Sequence, residues 1–597
     1  MRIELNMGGE TQNNDLLLSR ICKIILAIAF IFLTITIIQL IITIPGGYVV
    51  DVYSALPKLF IPSIIGCFSV ASIIIFSRIR QLRIVSIVLL ILLFVTVLII
   101  PFALGYYSMG RADDMSYIGE YLHISNIGII SNWDIYPASH IFGASIAIIS
   151  GMQSSVVSFI IPIVFSSLFV FGTNIHGNKF YKNTDYRNIL IVSSFVLYLG
   201  MYNFLNTPHA LFFAFLPIYL FIIFNYVQHG TTSYAIMMVL FSLLIPFTHP
   251  FILFFIITFQ LSLLLLKRFI KKLIAGDIGR LRNIVVIQLT AFASWFLYSS
   301  SLLGSFGRAV NSFLLKLTEP VLTETTDKIV KIGPDLSSFI PFVLIYYGRF
   351  IIPTVLIIVF LFLYYNRIKH DAEQNRIVKL LFVAYLITLI IEAILFLNPL
   401  ISHVPDRMTN LLFLVYFQIP AFTLLSIIYI NNYKIKSRIY TIKKFSMISV
   451  VILIFSLSLL GALPSPMVYS SNFALTNNEV AGMKWVYDFR DSDNMAAPLS
   501  QIGRFHTLFD DGLNDDYIGL SDHFGYDNTN KSLAQSITDN SGSLYIVKLT
   551  IDVTLYEEVP GYSNIGRYNY QDYYRLNCDD SVINIYSSKN IGISYLM

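Results

Sequence analysis

Residues 110–122 read GRADDMSYIGEYL and place Arg111, Asp113, Asp114 and Glu120 just after the apolar run IVSIVLLILLFVTVLIIPFAL. Two adjacent carboxylates at the end of a hydrophobic segment can take a proton from a substrate hydroxyl or stabilise a developing cation. Guanidinium groups do the complementary work of holding phosphate oxygens bidentately. Arginines stand in comparable settings at Arg349, between two apolar runs, and at Arg407, in SHVPDRMTN. Tyr136 follows the acids, and His209 (NFLNTPHA) and His249 (PFTHPF) lie at the ends of later apolar runs. Loop 300–349 adds Arg308, Lys316, Lys328 and Lys331, and the turn at 402–410 adds His403 and Asp406. A proton acceptor and phosphate-holding cations suit a lipid-linked phosphate substrate, provided the elements around them bring them to one side of a membrane.

Those elements are membrane spans. The 597-residue chain is 56% hydrophobic and 13% charged, with a mean hydropathy of +0.70. Apolar runs near the length of a bilayer core predict spans at 21–44, 59–76, 84–104, 156–172, 188–204, 209–227, 234–248, 250–266, 283–299, 350–365, 380–398, 411–428 and 445–462, thirteen in all. The first run is longer than the apolar core of a signal peptide and lacks a small-x-small cleavage site, so it is expected to remain as a span. Cys22, Cys67 and Cys578 are too far apart in sequence to suggest a disulfide framework or a zinc site.

Alternate loops and the N-terminal segment, with Lys23 at the edge of the first span, hold 24 of the 40 Lys and Arg residues, and the opposite short loops hold eight. The positive-inside rule then places the N-terminus in the cytoplasm and GRADDMSYIGEYL outside, at the plasma membrane. Residues 188–266 must contain an even number of crossings, read as four short helices, some re-entrant. Their turns carry polar and Pro residues that have to face protein or water. YPASHIFGASIAIISG (136–151) is too short to cross and fits an amphipathic helix at the interface. Residues 463–597 carry 17 acidic and eight basic residues, a net of −9 against +14 for the rest. They are expected to form a small extracytoplasmic α+β domain. TNNE (476–479) is a capping box that opens a helix there, and SLYIVKL, VINIYSS and IGISYL have the composition of strands.

The order of these features resembles the GT-C superfamily of membrane glycosyltransferases, which includes protein O-mannosyltransferases, aminoarabinose transferases and oligosaccharyltransferase catalytic subunits. The resemblance rests on DDMSY (113–117), Gly128, Tyr136-Pro137, IISG (148–151), the THP turn (248–250) and NNEVAGMKWVYDF (477–489). Three spans precede the acids where many members have one, the second acid is Asp114 rather than Glu, and no WWDYG motif is present. That last absence argues against transfer of a whole glycan to a protein asparagine. The resemblance implies a mainly α, polytopic bundle acting on a polyprenyl- or dolichyl-phosphate sugar, with a glycan, a lipid-linked glycan or a protein as acceptor and no nucleic acid. It implies an inverting displacement in which Asp113 deprotonates the acceptor and Asp114 assists. Arg349, Arg407 and a lysine such as Lys331 would stabilise the departing phosphate, with His209, His249, Tyr136 and Arg111 as further binding groups. A divalent cation beside Asp113 is compatible with this scheme, but donors of this kind commonly need none.

Plainer readings stand beside these. Glu120 and Asp134 fit loop or cap residues, and His209 and His249 fit partners for backbone freed by the neighbouring prolines. Arg407 fits a headgroup anchor. The acidic stretch 510–528 lacks EF-hand spacing and reads as a solvated loop, and Asn530-Lys531-Ser532 is a glycosylation sequon. A polysaccharide polymerase or ligase would use the cations of loop 300–349 and leave the acid pair unexplained. A flippase or transporter would favour charges at mid-bilayer and inverted repeats, and no repeat is visible.

Overall fold

The computed structural model describes residues 8–43, 47–180, 184–198, 200–269, 277–305, 307, 336–368, most of 383–391, 437–489, 494–497, 504–509, 516–520, 522–526, 544–559 and 567–596. The protein is mainly α, a bundle of apolar helices with a small α+β domain at its C-terminal end. Among the described residues, six helices are long and apolar enough to cross a membrane, and five more are apolar but shorter.

The first helix, α1 (Gly8–Ile42), explains why these segments belong in a bilayer. Leu26, Ala29, Leu33 and Leu40 are buried at helical spacing, while Ile28, Ile31, Ile35 and Ile38 on the other face are exposed. A helix that is apolar all round has no face suited to water. There follow α2 (Phe60–Ile74), α3 (Arg80–Leu98) and the one-turn α4 (Ile100–Ala103), where the expected span 84–104 breaks at Pro101. Next come α5 (Asp113–Ile127), α6 (Pro137–Ser150), α7 (Ser154–Phe180) and α8 (Thr184–Ser194). After them are α9 (Pro208–His229), α10 (Thr232–Thr248), α11 (Pro250–Phe269) and α12 (Leu281–Tyr298). The short α13 (Leu336–Phe342) passes through a π turn (Val343–Tyr347) into α14 (Gly348–Ile368), and α15 (Ser437–Leu460) closes the bundle. Span 411–428 and most of 380–398 lie outside the described residues.

A second expected span is also not a continuous helix. Segment 188–204 is helical only to Ser194, and α8 with its 11 residues covers about 16 Å of a core about 30 Å thick. The chain then runs irregularly, through a 3-10 turn at Gly200–Asn203, to Pro208. Phe195, Val196, Leu197 and Tyr198 are all buried, so this irregular backbone is covered by protein, the condition under which a bundle tolerates it. The short α6 presents Ile141, Ile148 and Ile149 outward while Ser139, His140, Gly143 and Ala144 face the protein.

The C-terminal domain contains a five-stranded sheet in the order β4-β3-β5-β7-β6: β3 (Asn494–Ala497), β4 (Asp516–Gly519), β5 (Leu544–Leu549), β6 (Val582–Ser588) and β7 (Ile591–Leu596). The strands expected from the sequence are β5, β6 and β7, which pair antiparallel in the order β5-β7-β6; β3 adds parallel to β5 and β4 to β3. The helices α16 (Asn477–Phe489), α17 (Phe505–Phe509), α18 (Thr550–Glu558) and α19 (Tyr570–Asn577) accompany the sheet. The TNNE box forms as expected: Glu479 Oε2 accepts from the Thr476 N–H at 2.8 Å, and the Glu479 N–H donates to Thr476 Oγ1 at 3.3 Å.

The domain is joined to the acid-bearing segment at several points. Just ahead of the acids, β1 (Tyr106–Ser108) pairs with β2 (Leu475–Thr476) at the entry to the domain. Met115 and Ile118 of α5 share an apolar cluster with Met483, Val486, Phe505 and Leu508. Gly119 lies so close to the Thr507 carbonyl that a Cβ there would collide with it. The acid helix is therefore held between the bundle and the domain.

Candidate active site

Asp113 and Asp114 form the first turn of α5, where unpaired N–H groups and the helix dipole favour carboxylates. Ala112, just before them, has φ 60° and ψ −108°, a conformation that costs a non-glycine residue about 1–3 kcal/mol. The two acids diverge from this turn. The Asp113 side chain is 69% exposed, and its Oδ1 lies 3.3 Å from Arg504 Nη2 of the C-terminal domain. Asp114 is buried and accepts a hydrogen bond from the Gly110 N–H at 3.2 Å. Burial pushes its carboxyl from the ordinary 3.8 up to about 7, against the opposing hydrogen bonds from Gly110, Ser108 and the Asn206 backbone. Asp113 is thus the exposed acid of the pair, and Asp114 the buried one, bonded to the turn at Gly110.

One turn further on, Tyr117 is buried beside both acids, and burial together with the charge of Asp113 raises its phenol well above the ordinary range. Glu120 accepts from the Ser131 N–H at 2.8 Å, and burial raises its carboxyl. Asp134 accepts from the Tyr136 N–H at 2.8 Å. These last two acids order the loop leading into α6. His140 was not apparent in the sequence, where it sits within an apolar helix. Its Nδ1 lies 2.8 Å from Asp134 Oδ2, both side chains are almost wholly buried, and its ring centroid is 4.8 Å from that of Tyr117. The Nε2 atom of His140 has no hydrogen-bond partner among the described residues.

The loop also reaches the turns of the later helices. The Tyr136 and His249 rings stack at 4.7 Å with an interplanar angle of 10°, which joins the Tyr-Pro pair to the THP turn. The backbone of His209 lies in the first turn of α9. Arg407 and Lys331 lie outside the described residues, as do Arg308, Lys316, Lys328, His403 and Asp406. Arg111 does not join the site as a phosphate ligand: its Nη2 sits 2.7 Å from Glu479 Oε1 and donates to the Ala474 carbonyl at 3.2 Å. That ion pair neutralises its charge and ties the acid loop to the start of α16. Neither Glu479 nor Arg504 could be matched to its partner from sequence, since each lies several hundred residues away.

Arg349 is only 1% exposed. Its guanidinium packs against Gly200, whose φ of +57° and missing Cβ make room for it. Among the described residues no carboxylate pairs with it, and its Nε and Nη1 lack hydrogen-bond partners. Its guanidinium carbon lies 5.6 Å from the Tyr346 ring centroid and 4.7 Å from that of Phe350. An uncompensated buried cation costs several kcal/mol, a cost that an anionic ligand would offset. The segment Gly200–Asn206 starts against Arg349 and ends at the Asn206 backbone contact with Asp114, with Leu205 beside Gly110. Four of its residues form a 3-10 turn and the next two a turn and a bend, so even at full extension of the remainder the segment spans no more than about 20 Å. Among the described residues, no group of three or more His, Cys, Asp or Glu side chains converges as a metal site.

No protein-family model matches the chain, and no curated protein matches it in sequence. Among solved structures, ArnT from Cupriavidus metallidurans bound to undecaprenyl phosphate is similar at a TM-score of 0.44 and 10% identity, over 85% of this chain and 97% of that one. The same protein in the apo state is similar at 0.43, with the same identity and coverage. Likeness at this level assigns neither a family nor an activity.

Proposed function

We propose that this protein is an integral-membrane glycosyltransferase that moves a sugar from a polyprenyl or dolichyl phosphate to an acceptor hydroxyl at the extracytoplasmic face. One observation carries the reading: the Gly200–Asn206 segment links a buried arginine, without a counter-ion among the described residues, to a carboxylate pair at a helix N-terminus. A phosphate leaving group needs the first, and an acceptor hydroxyl needs the second.

The reaction is a single inverting displacement. Asp113, the accessible acid, takes the proton of the acceptor hydroxyl as its oxygen bonds to the anomeric carbon. The bond from that carbon to the phosphate oxygen breaks, and its electron pair leaves with the lipid phosphate. Arg349 stabilises the charge that gathers there, with Arg407 and Lys331 as further cations. Asp114 assists by fixing the turn at Gly110 that carries Asp113. Tyr136 and His249 form a stacked wall between the acids and the later helices.

Purified protein incubated with a panel of polyprenyl-phosphate sugars should release lipid phosphate from one or more of them. Asp113→Asn should reduce that release by about 10²–10⁴-fold without changing the unfolding temperature. A folded Asp113→Asn protein with full activity would remove Asp113 from the mechanism.

A further inference from the structure

The C-terminal domain contains a cavity of about 370 Å³ between the β5-β7-β6 face of the sheet and the helices α18 and α19. Its lining is unusual for this domain. Residues 463–597 hold 17 acidic and eight basic residues. Two of those basic residues, Lys548 and Lys589, line the cavity, and none of the acidic ones does. No hydrogen bond or ion pair engages either ammonium among the described residues. Lys548 rises from β5 with its ammonium 5.9 Å from the Tyr573 ring centroid, and partial burial lowers its pKa.

The rest of the wall offers neutral hydrogen-bonding groups, chiefly Asn584, Asn590 and Ser594, with the half-exposed ring of Tyr570 at the side. Asn590 is 4% exposed, and its Nδ2 has no acceptor among the described residues, so a buried N–H donor awaits an oxygen. Its Oδ1 accepts from the Tyr48 N–H at 3.4 Å, which fixes this wall to the loop between α1 and α2. Cations without carboxylates select an anion. Amides, hydroxyls and an aromatic edge in a cavity of this size suit a sugar ring.

We propose that this cavity is a binding site for an anionic saccharide unit, a hexuronate or a sugar phosphate. It is separate from the acid pair and from Arg349. Its position on a wall tied to the helix-connecting loop would hold a charged glycan beside the bundle. The proposal is independent of the transferase reading, because it concerns binding and not turnover.

Equilibrium dialysis of the full-length protein in detergent micelles against radiolabelled glucuronate, glucose 6-phosphate, glucose and inorganic phosphate tests it. One or both of the anionic sugars should bind saturably, at least about tenfold more tightly than glucose or inorganic phosphate. The tighter of the two identifies the anion. Lys548→Met, which keeps the apolar stem, should weaken that binding about tenfold or more. Lys589→Met, at an exposed position where folding is not at stake, should also weaken it. Lys484→Met, on the far side of the sheet, should leave it unchanged. The proposal is overturned if neither anionic sugar saturates, if glucose or inorganic phosphate binds as tightly, or if folded Lys548→Met and Lys589→Met proteins both keep full affinity.

Discussion

Arg111 and Arg349 are both buried, at 8% and 1% exposure, but their surroundings are opposite. Arg111 meets Glu479 at 2.7 Å, and Glu479 in turn closes the capping box of α16. Arg349 meets tyrosines, a phenylalanine face and the backbone at Gly200, with no carboxylate among the described residues. A buried cation with its counter-ion in place is a structural tie, and further ligands would have to break an existing bond to reach it. A buried cation without one is a candidate site, because the protein bears its desolvation cost and an anion would offset it.

The comparison is broken most directly at the tie. Arg111→Met leaves Glu479 as an unpaired buried charge, and a change of that kind costs about 3–5 kcal/mol. Glu479→Met should cost a similar amount. The double variant should recover the part due to the stranded charge but not the part due to the Thr476 N–H that Glu479 caps, and so be more stable than Arg111→Met. Unfolding free energies of the three proteins form the double-mutant cycle, and a double variant as unstable as the singles would show that Arg111 acts through something other than this pair.

Asp114 extends the comparison to an anion. Its carboxyl is buried with only amide and hydroxyl donors around it and sits near pH 7 instead of 3.8. Between those values the unfolded chain gives up the proton while the folded protein keeps it. The stabilising contribution is therefore complete below about pH 4, falls as pH rises, and is gone above about pH 7. The displacement from 3.8 to about 7 corresponds to about 4 kcal/mol. Asp114→Asn should flatten the decline in unfolding free energy over that window by a comparable amount. An unchanged pH profile would mean that the carboxyl is not held protonated.

Arg349→Gln sharpens the contrast from the other side. Losing a cation from a developing oxyanion lowers turnover by about 10²–10³-fold, or about 2.7–4 kcal/mol. Removing an unpaired buried charge should at the same time leave the unfolding temperature equal to or above that of the parent. Parallel losses of stability and activity, the pattern expected for Arg111, would place Arg349 among the structural ties.

Which parts of this were legible in the sequence follows from the range of the interactions. The acid pair at the start of α5, the box at Thr476–Glu479 and the strands β5, β6 and β7 are specified by neighbours a few residues away, so spacing alone reveals them. Arg349 drew attention because it interrupts apolar runs. The Arg111–Glu479 pair spans 368 residues and leaves no local trace, which is why Arg111 read as a free cation. His140 looked like one polar residue in an apolar helix until the fold brought Asp134 and Tyr117 to it. The break after Ser194 was equally hidden, because Phe195–Tyr198 are as apolar as the helix they end, and their burial follows from packing alone.

The smallest of these effects tests whether the domain and the acid helix act as one unit. Arg504 and Thr507 reach α5 only because Gly119 lets the Thr507 backbone approach; Thr507 Oγ1 and Ser116 Oγ are 3.0 Å apart, and Arg504 lies against both Ser116 and Asp113. A methyl group at Gly119 would collide with backbone, which cannot swing aside as a side-chain tip can. Gly119→Ala should therefore cost about 1–3 kcal/mol through overpacking and push α17 away from α5, breaking the Arg504–Asp113 contact. If that contact restrains Asp113, Gly119→Ala should change the pH dependence of transfer in the same direction as Arg504→Ala, whose own effect on stability should be small for so exposed a pair. Matching pH profiles from two changes on opposite sides of the contact would tie the C-terminal domain to Asp113, the proposed base. Divergent profiles would limit Gly119 to packing.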